Sequence, residues 1–216
     1  MLRKYSILLG IIISLVLLLI ATRYYPGGSQ YDKNSIGYDW KNNYLSNLFA
    51  QKAVNGSDNA SRLWAIPGML FLSASIALFF IEFSKRISPK SAANVIRYFG
   101  AGAMLFAFLA VTPYHDTVVT IASTLALVSM FYITVFVFKS GLHLFKIFCV
   151  VCLLAFYGCM YIYYTGKYVE FLPVMQKISL AINVAWILSL QYFTTITDFQ
   201  PGKSVAIKAD DMSTNR

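Results

Sequence analysis

His115 and Asp116 are the residues on which acid–base chemistry would most directly rest. An imidazole beside a carboxylate can accept and return a proton, and a hydroxyl such as that of Ser46 can act as a nucleophile. The spacing alone does not define a catalyst. Neighbours on a regular helix diverge by roughly 100°, so this pair faces one ligand only within an irregular turn, which Pro113 and Tyr114 provide just before it. Thr120, Ser123 and Thr124 follow. Further on, Gln176, Ser179, Asn183 and Trp186 recur at i, i+3, i+7 and i+10, one stripe of a helix. Together with Ser46, Asn47, Tyr114, His115, Asp116 and Thr120, that stripe makes a candidate ligand-binding set, with His115, Asp116 and Ser46 as its catalytic candidates. The plainer account has Asn183 and the hydroxyls bonding between helices, and His115 and Asp116 solvated in a turn.

Other chemistries fare worse. The chain has two histidines, His115 and His143, expected at opposite faces of a membrane, so no metal and no cofactor is expected. Cys149-x-x-Cys152 has the spacing of a redox or metal pair, but it lies with Cys159 in one apolar run without a second ligand pair. These cysteines read as small buried residues, and no structural disulfide is expected. Glu82 has Lys85 and Arg86 within one turn and reads as an ion-pair partner.

The elements that carry these residues were shaped by lipid. Hydrophobic residues make up 58% of the 216 and charged residues 12%, whereas a soluble domain has roughly 25% charged residues. The apolar runs fall at about 5–22, 64–83, 95–112, 117–138, 144–164 and 178–193, each near the length needed to cross a bilayer. The expected fold is therefore an all-α integral membrane protein, a six-transmembrane-helix bundle over residues 1–197, followed by a polar, solvated tail over 198–216. The first run is long for a signal peptide, and Leu19 with Ala21 makes a poor cleavage site, which favours an uncleaved first helix. Gly141 is expected to turn the short link between the fourth and fifth runs, and Gly100, Ala101, Gly102, Ala103, Ala107 and Ala110 to make the third run central.

The formal charge of +9 follows the membrane too. Lys and Arg flank the apolar runs instead of forming one basic face, so headgroups and not nucleic acid are the expected partners. Arg3, Lys4, Lys85, Arg86, Lys90, Arg97, Lys139, Lys146 and the tail lysines fall on one side, which places both termini in the cytoplasm. The opposite face then carries the 23–63 loop. It holds Tyr24, Tyr25, Tyr31, Tyr38, Trp40, Tyr44 and Phe49, too many aromatics for a disordered linker. Asp39 is expected to cap a short helix there, with Trp40, Tyr44, Leu45, Leu48 and Phe49 on one face. Asn55-Gly-Ser57 and Asn59-Ala-Ser61 match the glycosylation pattern on the same side.

Tyr44-Leu45-Ser46-Asn47-Leu48 in the first loop, Gly68 early in the second span, the Pro113-centred turn with His115 and Asp116, and Gln176-Lys177 opening the sixth span stand in a familiar order. This order resembles the six-span bacterial proteins of domain-of-unknown-function family 998. Asn47 stands where that family carries an acidic residue, and Phe49 where it carries glycine. A more distant similarity is to the eukaryotic six-span family of autophagy modulators and lipid-anchor remodelling factors. The resemblance implies a six-span protein of a bacterial cytoplasmic membrane and no settled activity. Three functions follow as expectations: an outward-facing polar pocket that binds a lipid headgroup or small amphiphile, a membrane-embedded lipid hydrolase or transferase, or a small transporter or accessory subunit with a membrane-protein partner.

Overall fold

In lipid, a long apolar run must satisfy its own backbone, and the helix does so within one segment. The computed structural model describes residues 2–200, which contain six such helices and no named strand. These are α1 (Leu2–Arg23), α2 (Arg62–Ser84), α3 (Lys90–Leu109), α4 (His115–Lys139), α5 (His143–Thr165) and α6 (Leu172–Phe193). All six are long and apolar enough to cross a membrane, as in an integral membrane protein. The 201–216 part of the expected tail lies outside the described residues. Its first residues are not solvated throughout, because Phe199 is buried with its ring 5.3 Å from that of Phe83.

The helices pack in chain order, α1 on α2, α2 on α3, α3 on α4, α4 on α5 and α5 on α6, and α6 returns to touch α2. Phe79, Phe80, Phe83, Ile96, Ile133, Trp186 and Leu190 are buried together where these helices meet. α2 is the most enclosed helix, not α3 as expected from its small residues. Those residues serve a narrower purpose. A Cβ at Gly100 would run into the Phe80 ring, so the absence of a side chain lets α3 lie close against α2.

Two helix starts depart from the apolar runs. α3 begins at Lys90, directly after Pro89, and stops at Leu109 ahead of Pro113, which cannot continue a helix. α6 begins at Leu172, six residues before its run, because Pro173 sits in the first turn, where its missing N–H is harmless. The link between α4 and α5 is turned by Ser140, whose Oγ accepts the Leu142 N–H, while Gly141 keeps an ordinary backbone.

Between α1 and α2 the 24–61 segment forms a cap over one end of the bundle. The expected α-helix after Asp39 is absent, and only Leu45–Leu48 winds, as a 3-10 turn. Polar side chains compete for the backbone there. Asp39 Oδ1 accepts the Lys41 and Asn42 N–H groups, Asn43 Oδ1 accepts that of Asp39, and Asn47 Oδ1 accepts that of Tyr44. Hydrophobic anchorage comes from Tyr25, Leu48 and Ala53, which pack on Leu18, Ala21 and Ala65. The Tyr25 hydroxyl accepts the Val54 N–H at 3.0 Å. Asn59 is buried and its amide donates to Asn47 O and Ala50 O, so of the two sequons only that at Asn55 is exposed.

Candidate functional site

One bond from α6 ties the cap to the helices, and a buried amide braces the cap at that point. Asn43, fully buried, donates to Gly28 O at 2.8 Å, and its own carbonyl accepts the Lys177 amine at 2.7 Å. Lys177 also donates to Pro173 O and lies 5.6 Å from the Tyr38 ring centre. Burial pushes the Tyr38 phenol up, with the Tyr25 and Asp39 charges acting the same way. For Asp39, burial alone would raise the carboxyl. The Asn42 amide, the Lys41 and Asn42 N–H groups and the Lys177 charge outweigh it and hold Asp39 below the ordinary carboxylate range.

Under the 3-10 turn lies a cavity of about 230 Å³ between α1, α2, α3, α4 and α6. Its floor is apolar, made by Leu18, Met69, Leu72, Ala107 and Leu180, and its polar wall is Ser46, His115 and Gln176. A second cavity of about 420 Å³ adjoins it, sharing Ser46, Phe49, Ala110, Val111 and His115 and adding Asn47, Gln51, Arg62 and Thr112. The two form one mouth with a greasy base and a polar rim.

Two atoms at this mouth are conspicuous. Arg62 Nε and Gln176 Oε1 are buried and have no hydrogen-bond partner among the described residues. Leaving such a group unpaired costs about 1–3 kcal/mol, more when it is charged, so native structures rarely tolerate it without a partner from outside. One atom donates and the other accepts, Arg62 lining the larger cavity and Gln176 the smaller; the hydroxyls of Ser14, Ser73, Ser129 and Thr134 are likewise buried without a partner among the described residues.

His115 is oriented by its neighbour. Its Nδ1 lies 3.0 Å from Asp116 Oδ1, and the Tyr163 hydroxyl donates to the same oxygen at 2.8 Å. A proton on Nδ1 completes this arrangement and leaves Nε2 as an acceptor. The pair is not in the irregular turn expected for it but in the first turn of α4, where the two side chains diverge: the imidazole lies on the cavity wall and the carboxylate outside it, 87% exposed, so they do not both face one ligand. Ser46 shares that wall without a hydrogen bond to His115 among those described.

Of the sequence-selected residues, Ser46, Asn47, His115 and Gln176 come together at the mouth. The rest of each stripe points elsewhere. Tyr114 is exposed, and Thr120 and Thr124 return their hydroxyls to their own helix at Asp116 O and Thr120 O. Ser123 bonds the Tyr164 hydroxyl on α5. Asn183 donates to Ser179 O within α6, and Trp186 is buried with its indole N–H on Cys149 Sγ. Of these, only the Ser123–Tyr164 and Trp186–Cys149 contacts join two helices; Thr120, Thr124 and Asn183 bond within their own helix, so the interhelical bond expected of Asn183 is absent among the described residues. The histidines sit at opposite ends of α4, roughly 37 Å apart along a helix of this length.

Arg62 was missed as a site residue because it reads as one of several basic residues spread along a loop. A signal did exist. It opens α2, whose first turn holds no acidic residue, and a cation is disfavoured at the positive end of a helix dipole. In comparisons with known proteins, the chain matches no family model, no curated protein and no solved structure.

Proposed function

We propose that this chain binds a membrane lipid or small amphiphile by its headgroup, in the mouth beneath the cap. The observation that carries this reading is an apolar-floored cavity with an unpartnered acceptor at Gln176, adjoined by a second cavity with an unpartnered donor at Arg62. A guanidinium matches phosphate or carboxylate oxygens in a planar fork, and a glutamine carbonyl accepts from a hydroxyl or amine. A phosphate headgroup bearing such a donor satisfies both.

In this reading the cap faces away from the cytoplasm of a bacterial cytoplasmic membrane and both termini lie inside. Support comes from Lys85, Arg86, Lys90, Lys139 and Lys146, which collect at the helix ends opposite the cap. The order of Ser46, Pro113 and Gln176 that resembles domain-of-unknown-function family 998 accords with it. The test is extraction into native nanodiscs followed by mass spectrometry. A phosphate-bearing lipid should be retained by the wild type and lost from Arg62→Gln and Gln176→Ala. Retention of no particular lipid, with both variants altered only in stability, would remove the proposal.

A second reading, hydrolysis or acyl transfer at the same mouth, draws on the Asp116-oriented imidazole and the Ser46 hydroxyl. It expects a folded His115→Ala variant to lose lipid turnover. Unchanged turnover would exclude it.

A further inference from the structure

A second feature touches this mouth from the side. α1 and α6 do not pack along their cap-side halves and leave a groove of about 450 Å³ between them. Its walls are aliphatic, among them Leu15, Leu19, Ala181, Ala185 and Leu188. Beyond the groove, farther from the cap, Tyr5 of α1 stacks on Tyr192 of α6, ring centres 6.3 Å apart. Toward the cap it ends at Trp40 and Lys177.

Three residues, Leu18, Leu45 and Leu180, line both the groove and the mouth cavity. The two spaces are thus separated by side chains and not by a helix backbone. From this continuity we infer that the mouth is loaded sideways from the membrane: one acyl chain of a phospholipid lies in the α1–α6 groove while its headgroup occupies the mouth. The inference rests on the headgroup reading above and adds the class of ligand and its path.

Length and chemistry fit that occupant. The groove follows about 17 Å of α6, from Lys177 to Leu188, and about 10 Å of α1, from Leu15 to Thr22, against the roughly 15 Å that one leaflet contributes to the hydrocarbon core. A chain from a single leaflet fills it. The indole and amine at its cap-side end are the residue types favoured at headgroup level. Lys177, at the cap-side end of the groove, spends two of its three N–H donors on Asn43 O and Pro173 O. The facing carboxylate, Asp39, is already engaged by Lys41 and Asn42. A dry slot between membrane helices also forfeits dispersion contacts along its whole lining, which a methylene chain restores.

The test uses the full chain in nanodiscs with phosphatidylglycerol carrying a diazirine on one acyl chain, and sn-glycerol 3-phosphate as a chainless probe. In the wild type, cross-links should concentrate on the segments containing Leu15, Leu19 and 181–188. Ala185→Trp, which fills the groove, should lower retention of the long-chain probe at least fivefold and leave glycerol phosphate binding unchanged. Arg62→Gln should weaken both probes. If Ala185→Trp binds the long-chain lipid as the wild type does while Arg62→Gln does not, sideways loading is wrong and the headgroup reading stands. If Arg62→Gln changes neither probe, both fall. Thermal midpoints check folding, and Ala181→Phe replaces Ala185→Trp should that variant unfold. Wild-type cross-links confined to α4 and α5 would overturn the inference without any variant.

Discussion

The two ends of α2 each present an arginine, and the pair could hardly be treated more differently. Arg86, just beyond the last turn, donates to Leu190 O at 2.7 Å, to Gln191 O and Oε1 at 3.1 and 3.0 Å, and to Thr194 O and Oγ1 at 3.1 and 2.8 Å. These include the carbonyls that end α6, which have no partner within the helix and sit at its negative pole. Burial draws the Arg86 guanidinium down somewhat, opposed by the Glu82 and Asp198 charges, and the bonds hold it in place. Arg62, at the opposite end, has a buried nitrogen with no partner among the described residues. One end of the bundle is finished by the protein itself. At the other, a guanidinium nitrogen stays buried without a partner among the described residues.

That contrast can be broken most forcefully at the closed end. Arg86→Ala removes the guanidinium's bonds to two carbonyls of α6, Leu190 O and Gln191 O, and to Thr194 just beyond it, and should cost about 3 kcal/mol, read as a lowered unfolding midpoint in detergent. An unchanged midpoint would mean the clasp is decorative. Within the cap, Asn59→Ala removes the amide's bonds to Asn47 O and Ala50 O and the two bonds its oxygen accepts from Ser61, and should cost about 1–2 kcal/mol, with faster amide exchange across 47–53. Arg62→Gln should alter stability by less than about 0.5 kcal/mol while lowering phospholipid affinity about tenfold. A large loss of stability with unchanged affinity would make Arg62 a structural residue like Arg86. The smallest effect concerns Asp39. Its folded-state pKa is depressed, so its contribution is complete above the ordinary carboxylate range and fades as pH falls through the lowered value. Amide protection over 39–43 should therefore survive at about pH 6 and weaken only below about pH 4, and loss already at pH 6 would contradict the assignment.

Much of the architecture was legible because lipid imposes one rule on every span. Apolar length located six helices, and the i, i+3 relation of Glu82 to Lys85 foretold an ion pair seen at 2.7 Å. The helix expected after Asp39 failed because periodicity counts apolar faces and is blind to asparagines that bond the backbone instead. The site was half legible for a related reason. A stripe says which residues share a helix face but not which neighbour that face meets, so Gln176 reached the mouth while Trp186, on the same stripe, packed into the core against Phe79. Arg62 escaped because hydropathy treats the first charged residue of a span as its boundary, although a cation at that pole of a helix is itself out of place.

The burial of Asn59 makes the cap its own clock. An oligosaccharide can be attached there only while the 47–61 segment is still open, since the folded amide is spent on two carbonyls. Asn55, exposed a few residues away, stays accessible throughout. Expressed where sequons on the cap side are glycosylated, the chain would carry sugar at Asn55 regardless of timing and at Asn59 only in proportion to how slowly the cap closes. The ratio of the two occupancies would then record, molecule by molecule, the interval between threading of the second helix and sealing of the bundle above it.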